Sequence, residues 1–84
     1  MDLATAILSE HAVEQMAKRQ IAAEEVQRAL AAPEEVLPVR SGRVVAHAMS
    51  GSYLVRVFVD VDRTPPEVVT VYRTSNVDKY RSKS

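Results

Sequence analysis

The sequence predicts an α+β domain in which two N-terminal helices pack on an antiparallel sheet of about four strands. Two observations carry this. Apolar residues recur at helical spacing as far as Pro33, and from Val36 the pattern changes to period two in Val-rich runs. A third is length: 84 residues support one domain, 1–84, with a core over about 7–80 and a flexible tail at 81–84. Any activity must therefore sit on a surface or in a shallow cleft.

The first helix runs from about Glu10 to Arg19. Ser9 is an N-cap residue, Glu10 places a negative charge at the helix N-terminus, and Lys18 and Arg19 place positive charge at its end. The residues leave two readings open for the preceding segment: the helix starts at Asp2, or Thr5 to Leu8 form a short strand. The run "AAEEVQRALAA" gives the second helix, with Val26, Ala29 and Leu30 on one face and Pro33 ending it. The short junction "QIA" makes the two a hairpin.

Four strands follow in "VLPVR", "RVVAHAMS", "SYLVRVFVDV" and "EVVTVYR", separated by "SG", "GS" and "DRTPPE". Pro38 suits an edge strand. With Gly51 and Ser52 as a type II′ turn, Ser50 pairs with Tyr53, and counting outward sets His47 opposite Arg56 and Arg43 opposite Asp60. One face then carries Val44, Ala46, Ala48, Val55, Val57 and Val59, ready to pack under the helices. The other carries Val45, His47, Met49, Leu54, Arg56 and Phe58. In the last strand Val69 and Val71 alternate with Thr70 and Tyr72, which sends Thr70 and Tyr72 to the Arg56 face. In the polar tail "SNVDKYRSKS", Val77 and Tyr80 are the residues able to dock.

Composition narrows the function classes. There is no cysteine, hence no disulfide framework, thiol nucleophile or zinc-finger spacing, as expected of a cytoplasmic protein in a reducing compartment. The apolar run in "MDLATAILS" is too short for a signal peptide or membrane span, so no membrane partner is expected. The formal net charge of zero argues against simple nonspecific nucleic-acid binding. The charge is uneven, however: residues 1–39 hold three Lys or Arg against seven Asp or Glu, and residues 40–84 hold eight against four. The C-terminal half is the one suited to an anion.

Two groups of residues could carry chemistry. On the first helix His11, Gln15 and Arg19 are spaced four apart and share one stripe at the border between core and solvent, where a histidine can equally be a structural anchor. On the sheet, Arg56 lies between Leu54 and Phe58 and needs an anionic partner or a wet cleft, because burying its charge unpaired is costly. Asp60 and Glu67 could be such partners. Alternatively Arg56, His47, Thr70 and Tyr72 could bind phosphate, with arginine as a bidentate clamp and histidine or tyrosine moving a proton. Two histidines without a regular acidic pattern do not suggest a metal site, and the isolated Gly42 and Gly51 form no phosphate-cradling loop. No cofactor is expected.

The segments "SEHAVEQMAKRQIAAEEVQRALAAPEEV", "SGRVVAHAMSGSYLVRVFVD" and "VVTVYRTSNVDKY" resemble the small bacterial family called domain of unknown function 4258. His11, Ala12, Met16, Arg19, Ile21, Pro33, Arg56, Thr70 and Tyr72 match its pattern, and the likeness spans about residues 7–80. Two positions depart: the family's first arginine is Gln15 here, and the glycine usual after its second arginine is Gln20. The resemblance implies two helices on an antiparallel sheet and a loose kinship with RelE-type, ParE-type and BrnT-type toxins. Those proteins are RNA endonucleases or gyrase inhibitors, each held by an antitoxin.

Two functions are then expected. The first is a toxin-like, metal-independent endoribonuclease with His11, Arg19, Arg56 and Tyr72 as catalytic residues and Gln15, His47 and Thr70 in substrate binding. The second is a noncatalytic module that binds an antitoxin-like protein or a second copy of itself through its apolar, arginine-bearing sheet face or a strand edge.

Overall fold

The computed structural model describes residues 2–80; the expected flexible tail, 81–84, lies outside them. Two elements precede the first long helix. A 3₁₀ turn at Leu3–Thr5, capped by the Asp2 carboxylate, leads into the two-residue strand β1 (Ile7–Leu8). Of the two readings left open for this segment, the strand forms only at Ile7 and Leu8; Thr5 belongs to the 3₁₀ turn and Ala6 to its cap, and α1 does not extend back to Asp2. Ser9 ends it and starts the next element: its backbone N–H donates to Val68 O (3.0 Å), while its Oγ accepts from Ala12 N–H (3.0 Å).

Helix α1 (Glu10–Arg19) and helix α2 (Ala23–Ala31) follow as a hairpin. The end of α1 is set by Gln20, which takes the left-handed conformation (φ 55°, ψ 44°) and thereby explains why a glycine is favoured there. At α2 the Glu25 side chain reaches back to the Ala22 N–H (2.9 Å), and the chain turns away before Pro33. Both helices bury small and medium side chains, Ala12, Met16, Val26, Ala29 and Leu30, against the sheet.

The sheet adds β2 (Glu35–Arg40), β3 (Arg43–Ser50), β4 (Tyr53–Asp60) and β5 (Glu67–Thr74), and its order is β1-β5-β4-β3-β2. The expectation of about four antiparallel strands is corrected here: β1 adds a fifth, parallel to β5, so the sheet is mixed. A two-residue strand joined to its partner across almost the whole chain gives no local periodicity to read. A short helix α3 (Val77–Tyr80) adds a third helix to the two expected.

The β3–β4 register is the one counted from the turn, from Ser50↔Tyr53 out to Arg43↔Asp60. Gly51 has φ 61° and Ser52 is not in the positive-φ region, as a type II′ turn requires. Two bulges interrupt the simple count. Val39 is an extra residue between Pro38 and Arg40 on β2, and Val69 is an extra residue on β5. The second bulge changes one expected position: Val68, rather than Val69, joins Val71 in the core, while Thr70 and Tyr72 keep the Arg56 face.

The helix-side face therefore holds Ala46, Ala48, Val55, Val57, Val59, Val68 and Val71. The opposite face carries Glu35, Val45, His47, Leu54, Arg56, Phe58 and Tyr72, and α3 brings Tyr80 onto it. No helix among the described residues is long and apolar enough to cross a membrane.

Candidate functional site

The register that builds the sheet also lines up four polar side chains. Glu35 on β2 pairs with His47 on β3, His47 with Arg56 on β4, and Arg56 with Tyr72 on β5. Residues directly opposite on one face lie close enough for side chains to meet, and here each meets the next. Glu35 Oε1 lies 3.1 Å from His47 Nδ1, Arg56 Nε donates to His47 Nε2 (3.0 Å), and Arg56 Nη1 donates to the Tyr72 hydroxyl oxygen. One hydrogen-bonded rung thus crosses four strands at right angles to the chain.

Arg56 is the centre of this rung and has no carboxylate partner among the described residues. Its guanidinium lies among three aromatic rings, 5.1 Å from the Phe58 centroid, 5.2 Å from Tyr72 and 4.2 Å from Tyr80. The rings are themselves ordered, Phe58 stacked on Tyr72 at 5.9 Å and Tyr80 set edge-on to Tyr72 at 6.3 Å. Burial pulls the Arg56 pKa below its ordinary value, with Tyr80 acting in the opposite sense. Arginine starts so far above neutrality that the group stays a cation.

The expectation that Asp60 or Glu67 could neutralise Arg56 is not met. Asp60 is taken by its own cross-strand neighbour, accepting from Arg43 Nε (2.6 Å) and Nη2 (3.2 Å), with Arg40 a further 3.9 Å contact. Glu67 accepts from Arg63 Nη1 (2.9 Å). Both carboxylates belong to the rung at the far end of the β4–β5 pair, where Asp60 opposes Glu67, and local arginines reach them first.

The α1 stripe divides. Arg19 reaches round the edge of β5, donates to Val71 O (2.8 Å), and comes to 5.8 Å from the Tyr72 ring centroid. It thereby covers a β5 carbonyl beyond the point where β1 stops pairing. Gln15 is half-buried and His11 is exposed; both lie back along the helix. His11 is eight residues before Arg19, about 12 Å along the axis at 1.5 Å per residue.

Of the residues read as a site, the fold brings Arg19, His47, Arg56 and Tyr72 together. Thr70 lies on the same face opposite Phe58, while His11 and Gln15 remain on the helix flank. Three members were not singled out as site residues: Glu35, Phe58 and Tyr80. The sequence places Phe58 on this face and makes Tyr80 able to dock; their convergence on Arg56 is what local pattern does not reveal. His47 is fully buried with both ring nitrogens engaged, so it touches Arg56 and Glu35 rather than solvent.

The family model described as domain of unknown function (DUF4258) matches residues 8–73. No curated protein and no solved structure matches the chain.

Proposed function

The chain belongs to the family described as domain of unknown function DUF4258, and on that premise we propose that it is a metal-independent endoribonuclease that grips an RNA phosphate at Arg56. The single observation that carries this reading is an arginine with no carboxylate partner among the described residues, fixed on a sheet face among three aromatic rings, one of which, Tyr72, also lies 5.8 Å from the Arg19 guanidinium. A desolvated cation of that kind is favourable toward a phosphate that replaces the missing anion, and planar rings beside it suit stacking of unpaired bases. The choice of RNA comes from the kinship with RelE-type and BrnT-type toxins that the sequence resemblance implies.

The chemistry needs few groups. In the cleavage, the 2′-oxygen of a ribose gives up its proton and attacks the adjacent phosphorus, and the 5′-oxygen leaves and takes up a proton. Arg56 and Arg19 stabilise charge on the phosphate oxygens. Tyr72 accepts from Arg56 through its oxygen and keeps its own proton for the leaving group. Water takes up the 2′-proton at Arg56; Thr70, opposite Phe58, contacts the RNA on the same face, and His11 and Gln15 contact it where it passes the helix flank. His47 serves from beneath, by holding Arg56.

A second reading has its own support. Val36 and Val39 on the edge strand β2 are 42% and 46% exposed, a surface suited to pairing with an antitoxin-like protein or a second copy of the chain. The test that separates the two is cleavage of a mixed RNA substrate, with and without ribosomes, by the wild type and by folded Arg56→Gln, Tyr72→Phe and His11→Ala variants. Cleavage that fails in the Arg56→Gln protein supports the nuclease. An inactive wild type sinks it and turns attention to the β2 edge.

A further inference from the structure

The position of one proton follows from the rung. Arg56 remains protonated at Nε and donates there to His47 Nε2 (3.0 Å), so Nε2 must present a lone pair. A neutral imidazole carries one N–H, which is then on Nδ1, and the atom facing Nδ1 is the Glu35 carboxylate oxygen at 3.1 Å. A doubly protonated ring would set Nε2–H against Arg56 Nε–H, two donors pointed at one another. The buried imidazole has no room to escape this by turning to solvent, since His47 is 0% exposed.

We propose that Glu35 and His47 are positioning residues for Arg56: Glu35 holds the His47 proton on Nδ1, and the freed Nε2 lone pair fixes the plane of the guanidinium. A guanidinium free to turn about its Nε bond meets a phosphate in many poses, whereas one anchored at Nε and, through Nη1, at Tyr72 presents its remaining Nη2 edge in one. The arrangement is the one by which an outer carboxylate orients a histidine toward a metal, with a guanidinium in the place of the metal. Glu35 touches no substrate; it acts through two intervening side chains. The consequence for cleavage rests on the endoribonuclease reading above, while the tautomer itself does not.

The experiment reads both. Nitrogen NMR of the imidazole in the wild-type protein, without RNA, should show a protonated Nδ1 and an unprotonated Nε2 on His47, with a slowly exchanging Arg56 Nε–H. Glu35→Ala deprives the buried Nδ1–H of its acceptor: an Nε2–H form that turns the Arg56 Nε–H away should become populated, that N–H should exchange faster, and kcat on RNA should fall about tenfold with KM little changed. Glu35→Gln, whose carbonyl oxygen can accept the same bond, should restore the tautomer and most of kcat. Glu35 is partly exposed, so these variants spare the core. A wild-type His47 protonated on Nε2, or a Glu35→Ala protein with tautomer and exchange unchanged, overturns the proposal. A wild type with the Nδ1–H tautomer that cleaves no RNA supports the relay and overturns the RNA reading.

Discussion

The β3–β4 hairpin carries two arginines on the same face, each hydrogen-bonded to its cross-strand partner, and the two are held in opposite electrostatic states. Arg43 faces Asp60, and their paired hydrogen bonds raise the arginine pKa and lower that of the carboxylate despite desolvation. Arg56 faces His47, and there burial wins, because its neighbours are an imidazole and phenols rather than an anion. Four residues of β3 separate the two rungs, about 13 Å at strand rise. The difference teaches where charge has been used and where it has been kept: Arg43 is neutralised within the fold, whereas Arg56 is ordered by neutral groups and retains its capacity for an external anion.

That contrast is open to experiment. The largest effect should come from Arg56→Gln, which should lower RNA cleavage about 100-fold while lowering the free energy of unfolding by about 1 kcal/mol, since the buried His47 Nε2 loses its donor but no ion pair is lost. A fall in stability comparable with the loss of activity would erase the distinction between the two arginines. The converse variant, Asp60→Asn, should cost about 2 kcal/mol of stability in urea unfolding and leave cleavage unchanged.

Asp60 also predicts a pH dependence. Its folded pKa lies below its unfolded value of about 3.9, so its contribution is complete above about pH 4 and is lost as the pH falls through the folded pKa. Between pH 5 and pH 2 the wild type should therefore lose more stability than Asp60→Asn. Arg19 stands between the two cases, bound to a carbonyl and beside Tyr72, and Arg19→Gln should lower cleavage about tenfold. The smallest change is Gln20→Gly, which relieves a left-handed non-glycine residue at the end of α1 and should stabilise the fold by about 1 kcal/mol in thermal unfolding.

Much of this pattern is legible in the residues, and its limits have physical causes. The helix bounds and the central hairpin register follow from Ser9, Pro33 and the Gly51–Ser52 turn, all local signals. The His47–Arg56–Tyr72 alignment then follows by counting. Glu35 does not, because an outward count from Ser41–Gly42 sets Val36 opposite His47; the extra Val39 shifts the strand by one and brings the carboxylate into line instead. Asp60 and Glu67 were plausible counterions for Arg56 by charge alone, yet closer arginines hold them. The parallel β1 joins residues sixty positions apart, which no pattern of period two reveals.

The transverse course of the rung has a consequence for how the site comes into being. Its links close in series along the chain, spanning 12, 9 and 16 residues, and short loops of this kind carry a modest entropic cost apiece. Each hairpin that zips up adds one member, yet Arg56 is held from both sides only once β3, β4 and β5 have all docked. A growing or partly opened chain thus holds every ingredient of the clamp without its geometry. The clamp's geometry is a property that arrives with the last strand, and the same four side chains report, by their mutual order, that folding has finished.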